Sequence, residues 1–393
     1  MPGISILVSS IGQGGAEKVM ADLAVLMTKR NMNVNLVVVT SISEEKRRFF
    51  SQRVNLAELN AKHYMSVLKP LYEALLSKKI FRLPFLAIKT LIDLPGKSLY
   101  PIVKYIRKTR PEVIFTAHYN SVTILANWLA GSPSKIVITE HTVLSKHFPS
   151  QIWFIRKFFP SICRFFYPKA HKIIGVSKFV ADDMIKYLGL PPQKVMYIYN
   201  PIVGERLESM AQEDCYHPWF DEHIPVFIAV GRMSWEKDYK TLLEAFAIFH
   251  EATRARLLIL GDGPLLAELQ EYAGELKVAE DIDWIGFVKT PLACIKRADL
   301  FLLSSLYEGL PTVVIEALFV GTTVVVSDCG GVREVLNDGE YGYIVPVQSP
   351  KEMAGAMKAA LENPFPPSKL RQRADIFSED AALNAYCNVI NRL

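Results

Sequence analysis

From Gly3 onward, short apolar runs alternate with amphipathic stretches of helical length. Residues 4–9 form an apolar run, a glycine loop follows (Gly12, Gly14, Gly15), and helix-period spacing occupies 16–30 before a second apolar run at 34–40. Apolar runs this short and this continuous suit strands buried on both faces, and their alternation with helices predicts βαβ units in a parallel sheet. Runs at 113–116, 136–139, 172–176 and 195–199 extend that sheet. After Asn200 and Pro201 the pattern lapses through His217 and Pro218 into a polar, aperiodic stretch that reads as a linker. It restarts at Pro225, with strands predicted over 226–230, 256–260, 283–287, 300–303 and 323–327 and helices over 239–251, 265–275, 291–297 and 311–320. The prediction is an α/β chain of two doubly wound, Rossmann-like parallel-sheet domains, 1–203 and 204–378, with an interdomain cleft. The closing segment 379–393 is expected to be a helix crossing back to the first domain.

The richest chemistry lies between Ser304 and Gly331. Glu308, Gly309, Leu310 and Pro311 follow a strand, and proline suits the first position of a helix, where its missing donor costs nothing. Glu316 is then the lone charge in an apolar helix, flanked by Val313, Val314, Ile315, Ala317 and Leu318. Burying it unpaired is costly, so a loop charge and a solvated helix charge are the plainer alternatives to a site. A carboxylate only accepts hydrogen bonds, which suits the paired hydroxyls of ribose or a hexose, and the carboxyl edge of a parallel sheet is where open α/β folds bind ligands.

Arg232 and Lys237 follow the strand that opens the second domain. Fixed cations there neutralise a departing diphosphate without a metal, and the chain has no Asp-x-Asp motif to hold a divalent ion. Gly12, Gly14 and Gly15 allow close backbone approach to a phosphate or sugar, or simply a tight turn. Position 17, where a dinucleotide fingerprint needs glycine, holds Glu17, which argues against a nicotinamide or flavin enzyme. His118 and His141 end two first-domain strands and are read as structural or as converging on one edge.

Composition sharpens the picture. Of 393 residues half are hydrophobic, which excludes a disordered chain, and no apolar run reaches spanning length. Net charge is +5, but residues 1–200 carry 28 Lys/Arg against 11 Asp/Glu, and the remainder 17 against 29. Much of the excess mixes with aromatics and aliphatics: Lys78, Lys79, Arg82, Lys89 and Lys97, then Lys104, Arg107, Lys108 and Arg110, and a second cluster from Trp153 to Lys169. Such segments attach to anionic membrane surfaces; a solvated core helix and a nucleic-acid surface are the alternatives, the last least favoured. The five cysteines (Cys163, Cys215, Cys294, Cys329, Cys387) are scattered without a CxxC pair and read as reduced thiols.

These residues together resemble the retaining glycosyltransferases of the GT-B fold, called glycosyl transferases group 1 or family 4. The matching pieces are Gly14, Gly15, Ala16 and Glu17; Val230, Gly231, Arg232 and Lys237; Leu260, Gly261, Asp262 and Gly263; Glu308 to Pro311 with Glu316; and Gly339, Gly342 and Pro346. The resemblance implies a donor held by the second domain, with Arg232 and Lys237 on the diphosphate and Glu316 on the ribose. Glu308, with the backbone of Gly309 and Leu310, would hold the transferred sugar. Gly261 would adjoin the nucleotide, Phe287 the base, and Gly14 and Gly15 the diphosphate and sugar. His141 would stand beside the reacting carbon. The members most alike extend lipid-linked oligosaccharides. That implies a UDP-sugar donor, with GDP-mannose as the alternative, and a polyprenyl-diphosphate-linked glycan acceptor at the cytoplasmic face of the membrane. No metal, no other cofactor and no nucleic acid are expected. A GT-B epimerase or hydrolase, which would need paired carboxylates in the first domain, and a non-catalytic sugar-nucleotide binder are the competing readings.

Overall fold

The computed structural model describes residues 3–11, 15–61, 99–150 and 153–393. Gly12 and Gly14 of the first loop and the basic residues Lys78, Lys79, Arg82, Lys89 and Lys97 lie outside the described residues. The chain forms two compact units: Met1–Val176 with Val180–Ile198 and Leu383–Leu393, and Ser177–Phe179 with Tyr199–Ala382.

The sheet of the first unit comprises β1 (Ile4–Val8), β2 (Val34–Val38), β3 (Asn55–Glu58), β4 (Val113–Thr116), β5 (Lys135–Glu140), β6 (Lys172–Gly175) and β7 (Val195–Tyr197). Its order is β3-β2-β1-β4-β5-β6-β7, and every pairing is parallel. Ile4 pairs with Val34 on one side and with Val113 on the other, so the strand order reverses between β1 and β4. β1 and β4 are buried at every position, Ser5 and Thr116 included, in keeping with their otherwise apolar sequence. The helix Gly15–Lys29 buries Met20, Leu23, Ala24 and Met27, one stripe at the helical period. Tyr386, in the closing helix Glu379–Asn391, meets Phe115 of β4 edge-on with ring centroids 5.7 Å apart.

The second unit carries β8 (Val226–Val230), β9 (Arg256–Leu260), β10 (Ile282–Gly286), β11 (Leu300–Leu303), β12 (Thr323–Ser327) and β13 (Tyr343–Val345). Their order is β10-β9-β8-β11-β12-β13, again all parallel, with the reversal between β8 and β11. Phe227, Phe246 and Phe249 anchor the core, Phe227 and Phe249 at 5.1 Å. A buried phenylalanine contributes roughly 1.5–3 kcal/mol. Gly261, at φ 142°, lies so close to the carbonyl of Gly231 that an added Cβ would collide with it. The loops leaving β8 and β9 therefore pack backbone to backbone.

Three expectations are corrected. The stretch read as an aperiodic linker contains the helix Glu205–Met210 and the 3-10 turn Pro218–Asp221, too short for a periodic signal. β3 and β13 are sheet edges of four and three residues, the first partly polar and both too short to stand out as runs. Cys215 and Cys294 are joined in a disulfide rather than standing as two reduced thiols. They lie 79 positions apart in sequence, and the pairing arises because the segment after Glu205–Met210 packs on the helix Leu292–Arg297. Cys163, Cys329 and Cys387 are free thiols.

Candidate active site

In the second unit the loops following β8 and β11, the two strands flanking the reversal, bring Lys237 and Glu308 together. Lys237 ends the 3-10 turn Trp235–Lys237, two residues before the helix Tyr239–Ala252, and its Nζ lies 2.5 Å from Glu308 Oε1. Both side chains are about four-fifths buried. Two consecutive serines just past β11 hold the pair from opposite sides, as alternation along an extended chain dictates. Ser304 Oγ donates to the Lys237 carbonyl at 2.8 Å, and Ser305 Oγ donates to Glu308 Oε1 at 2.9 Å. Ser327 Oγ, at the end of β12, donates to the Ser305 carbonyl at 2.6 Å, and all three serines are buried. The Leu306 N–H donates to the Glu236 carbonyl at 2.8 Å, closing one loop on the other.

The Glu308 backbone is fixed as firmly: its N–H donates to Cys329 and its carbonyl accepts from Gly331. An added Cβ on Gly331 would strike the Gly309 carbonyl, so glycine is required there. The N–H groups of Gly309 and Leu310 donate to no described acceptor, leaving two backbone donors beside the Glu308 carboxylate. Glu316 lies in the second turn of the helix Thr312–Val320, half-buried, near the positive end of the helix. Arg232 is exposed, and its guanidinium takes no partner among the described residues. Phe287 is one residue beyond β10 and 79% exposed, an open ring face. Burial works against a charged Lys237, but Glu308 more than offsets it, so the ammonium titrates above its ordinary range.

The first unit repeats the scheme at its own reversal. Glu17, in the first turn of Gly15–Lys29 after β1, lies 3.3 Å from Nδ1 of His118, which follows β4 in a left-handed conformation at φ 65°. Ser9 Oγ donates to the same carboxylate oxygen at 2.8 Å. Burial opposes ionisation of Glu17, yet His118 and Ser9 hold its carboxyl down to about 2. His118 is raised: burial disfavours its charge, and Glu17 outweighs that. His141 follows β5, the next strand along, so both predicted histidines are at the carboxyl edge of adjacent strands. Burial and the neighbouring His118 push His141 down to about 3, which keeps it neutral, and its buried Nε2 has no hydrogen-bond partner among the described residues. Gly15 opens the helix with free space where a Cβ would stand, so no protein atom demands glycine there.

Two family models cover nearly all of this chain: Glyco_transf_4, Glycosyltransferase Family 4, over residues 13–206, and Glycos_transf_1, Glycosyl transferases group 1, over 219–377. The chain belongs to the family 4, group 1 glycosyltransferases. It is 29% identical over 367 residues, 92% of this chain and 91% of the relative, to a Campylobacter jejuni N-acetylgalactosamine-N,N'-diacetylbacillosaminyl-diphospho-undecaprenol 4-alpha-N-acetylgalactosaminyltransferase. A Salmonella typhimurium lipopolysaccharide 1,6-galactosyltransferase is 29% identical over 167 residues, 41% of this chain and 44% of the relative. Among solved structures, an Anabaena protein in complex with UDP-glucose superposes with a TM-score of 0.77 at 17% identity, and a lipopolysaccharide outer core galactosyltransferase with 0.71 at 18%; each covers the whole of both chains. The fold is thus GT-B, and the enzyme is a nucleotide-sugar-dependent glycosyltransferase.

For this glycosyltransferase the structure brings Lys237 and Glu308 into direct contact and places Gly309, Leu310 and Glu316 on the same loop and helix. Gly14 lies outside the described residues. Sequence reading missed Ser304, Ser305 and Ser327 as supports and Glu17 as the partner of His118. A buried polar residue directly after an apolar strand was the available signal for the serines. Among the described residues no group of three or more His, Cys, Asp or Glu side chains is arranged to hold a metal ion.

Proposed function

We propose that this glycosyltransferase is a retaining hexosyltransferase that needs no metal, moving a sugar from a UDP-sugar to a polyprenyl-diphosphate-linked glycan at the cytoplasmic membrane surface. The carrying observation is the Lys237–Glu308 pair, held by buried serines where the strand order of the second unit reverses. In this reading Lys237 and Arg232 stabilise the negative charge that grows on the diphosphate as the glycosidic bond breaks. Glu308 and the Gly309 and Leu310 N–H groups orient the sugar, Glu316 takes the ribose hydroxyls, Gly261 gives the nucleotide close access to the backbone, and Phe287 borders the base. His141 serves the reacting sugar as a neutral imidazole, and the leaving phosphate accepts the proton of the acceptor hydroxyl on the same face.

The acceptor proposal draws on the undecaprenyl-diphosphate substrate in the name of the Campylobacter relative. The membrane proposal draws on the helix Trp153–Phe166 and the turn after it. Phe158, Ile162 and Phe165 are 42%, 39% and 61% exposed, and Lys169 Nζ lies 4.1 Å from the Phe165 ring centre. Exposed rings beside lysines suit an anionic lipid interface. Among the described residues no helix is long and apolar enough to cross a membrane. The test is UDP or GDP release from a panel of UDP-hexoses, UDP-N-acetylhexosamines and GDP-mannose, with and without a polyprenyl-diphosphate-linked N-acetylhexosamine. Acceptor-dependent UDP release that survives EDTA is expected. Release that ignores the acceptor would favour a hydrolase or epimerase, and GDP release would replace the donor assignment.

A further inference from the structure

A second buried carboxylate in the first unit has no part in the reading above. Glu140 is the last residue of β5 and only 6% exposed. Among the described residues no lysine or arginine lies within ion-pair distance, and both of its oxygens accept hydrogen bonds. Oε1 accepts from the backbone N–H of His141 at 3.2 Å and of Thr142 at 3.3 Å. Oε2 accepts from the Tyr167 hydroxyl at 3.0 Å and from Asn120 Nδ2 at 3.4 Å. Asn120 Nδ2 also reaches the Tyr167 hydroxyl at 3.0 Å, and both residues are buried. Burial pushes the Glu140 carboxyl up, and His118 nearby opposes the rise. A carboxyl group taken out of water with no lysine or arginine paired to it is expensive, so its place needs a function that a hydrophobic residue could not supply.

The four bonds identify that function. Asn120 begins the helix Asn120–Leu129, and Tyr167 begins the 3-10 turn Tyr167–Lys169. These two fix one oxygen of Glu140, and the other oxygen then grips the first two peptides of the loop after β5. The gripped peptide is that of His141, whose buried Nε2 is without a hydrogen-bond partner among the described residues. We infer that Glu140 is a positioning residue for sugar transfer: clamped by Asn120 and Tyr167, it fixes the His141–Thr142 backbone and thereby the imidazole that serves the reacting sugar. The inference rests on the proposed role of His141. What the clamp requires is an acceptor oxygen at the end of a side chain of this length, not a negative charge. Glutamine supplies one at Oε1, and its amide nitrogen meets an acceptor once the Asn120 amide turns over to present Oδ1, a buried atom with no hydrogen-bond partner among the described residues.

The experiment compares Glu140→Gln, Glu140→Ala, Glu140→Asp and His141→Ala. Transfer is read as UDP release from UDP-N-acetylgalactosamine, UDP-N-acetylglucosamine, UDP-glucose and UDP-galactose with a polyprenyl-diphosphate-linked N-acetylhexosamine. Binding of UDP alone is read by calorimetry, and backbone protection by hydrogen exchange. Glu140→Gln is expected to keep kcat within about fivefold. Glu140→Ala should lower kcat about a hundredfold, the scale of a misplaced site group, while UDP affinity stays within about twofold, since the donor nucleotide is assigned to the second unit. Protection of the His141 and Thr142 amides should fall in parallel, with β1 and β4 unchanged. Glu140→Asp, whose carboxylate is retracted by one methylene, gives the same signature if the alanine variant does not fold. Wild-type kcat in both Glu140→Ala and Glu140→Asp, or a loss of kcat in Glu140→Gln equal to that in Glu140→Ala, overturns the inference. Unchanged transfer in His141→Ala removes its foundation and the role of His141 together, whereas a collapse in His141→Ala beside active Glu140 variants refutes the clamp alone.

Discussion

Removing the Lys237 ammonium should cost this enzyme twice, and the two costs can be separated. In the folded chain Lys237 and Glu308 are 2.5 Å apart and about four-fifths buried. Breaking a fully buried pair from one side costs about 3–5 kcal/mol, because the remaining charge is stranded. With a fifth of each side chain open to water, and Ser305 still bonded to Glu308, a cost of about 2–3 kcal/mol is expected for Lys237→Ala. The second cost falls on turnover. A fixed donor aimed at charge developing on a leaving group is worth about 10²–10³ in kcat. Adding Glu308→Gln to Lys237→Ala removes the stranded charge, so the double variant should recover most of the lost stability and none of the lost turnover. The assay is a double-mutant cycle with urea unfolding on one axis and UDP release on the other. Recovery of turnover along with stability would make the lysine a structural counter-ion, and wild-type turnover in folded Lys237→Ala would refute the reasoning.

Other consequences are measurable. Glu316→Ala should weaken UDP binding about tenfold or more, because the ribose hydroxyls lose a charged acceptor; unchanged UDP affinity removes it from the nucleotide site. Glu17 is depressed from 4.5 to about 2, so its contribution to stability is present above about pH 4.5 and lost as pH falls toward 2. His118 is raised, so its share is complete below its ordinary 6.5 and lost as pH climbs past the raised value. The destabilisation caused by Glu17→Gln, about 1–3 kcal/mol, should therefore be largest near pH 5.5 and shrink toward pH 2 and in alkali, as urea titrations would show. Reversing Lys157 and Lys169 to glutamate should weaken flotation with anionic liposomes at least thirtyfold, from about 1 kcal/mol per lysine near the surface; binding that ignores charge and salt would contradict the membrane proposal.

Much of the fold is written locally. β1, β4, β8, β9, β11 and β12 are apolar at nearly every position and buried to match, so burial on both faces imposed the sequence signal directly. β3 lacks it because Asn55 and Glu58 bracket only two apolar residues, and β13 is only three residues long. The candidate site divides the same way. Glu316 stood out as the lone charge in an apolar helix, Glu308 by its place on the loop after a strand, and Lys237 by its distance from β8. The Cys215–Cys294 bond left no local trace, since its halves are 79 residues apart.

By itself, then, the order of residues determined the alternation of strands and helices and marked the side chains here proposed to hold a nucleotide sugar. These are set by hydrophobic period and by the conformational limits of glycine and proline, which act over a few neighbours. Only the tertiary structure decided which of those side chains meet: Lys237 with Glu308, Glu17 with His118, Glu140 with the His141 peptide. Each pair joins loops from strands that are adjacent in a sheet, or continues directly from one strand's end. That adjacency is fixed by the reversal of strand order between β1 and β4 and between β8 and β11, a property of how the whole chain buries its apolar faces.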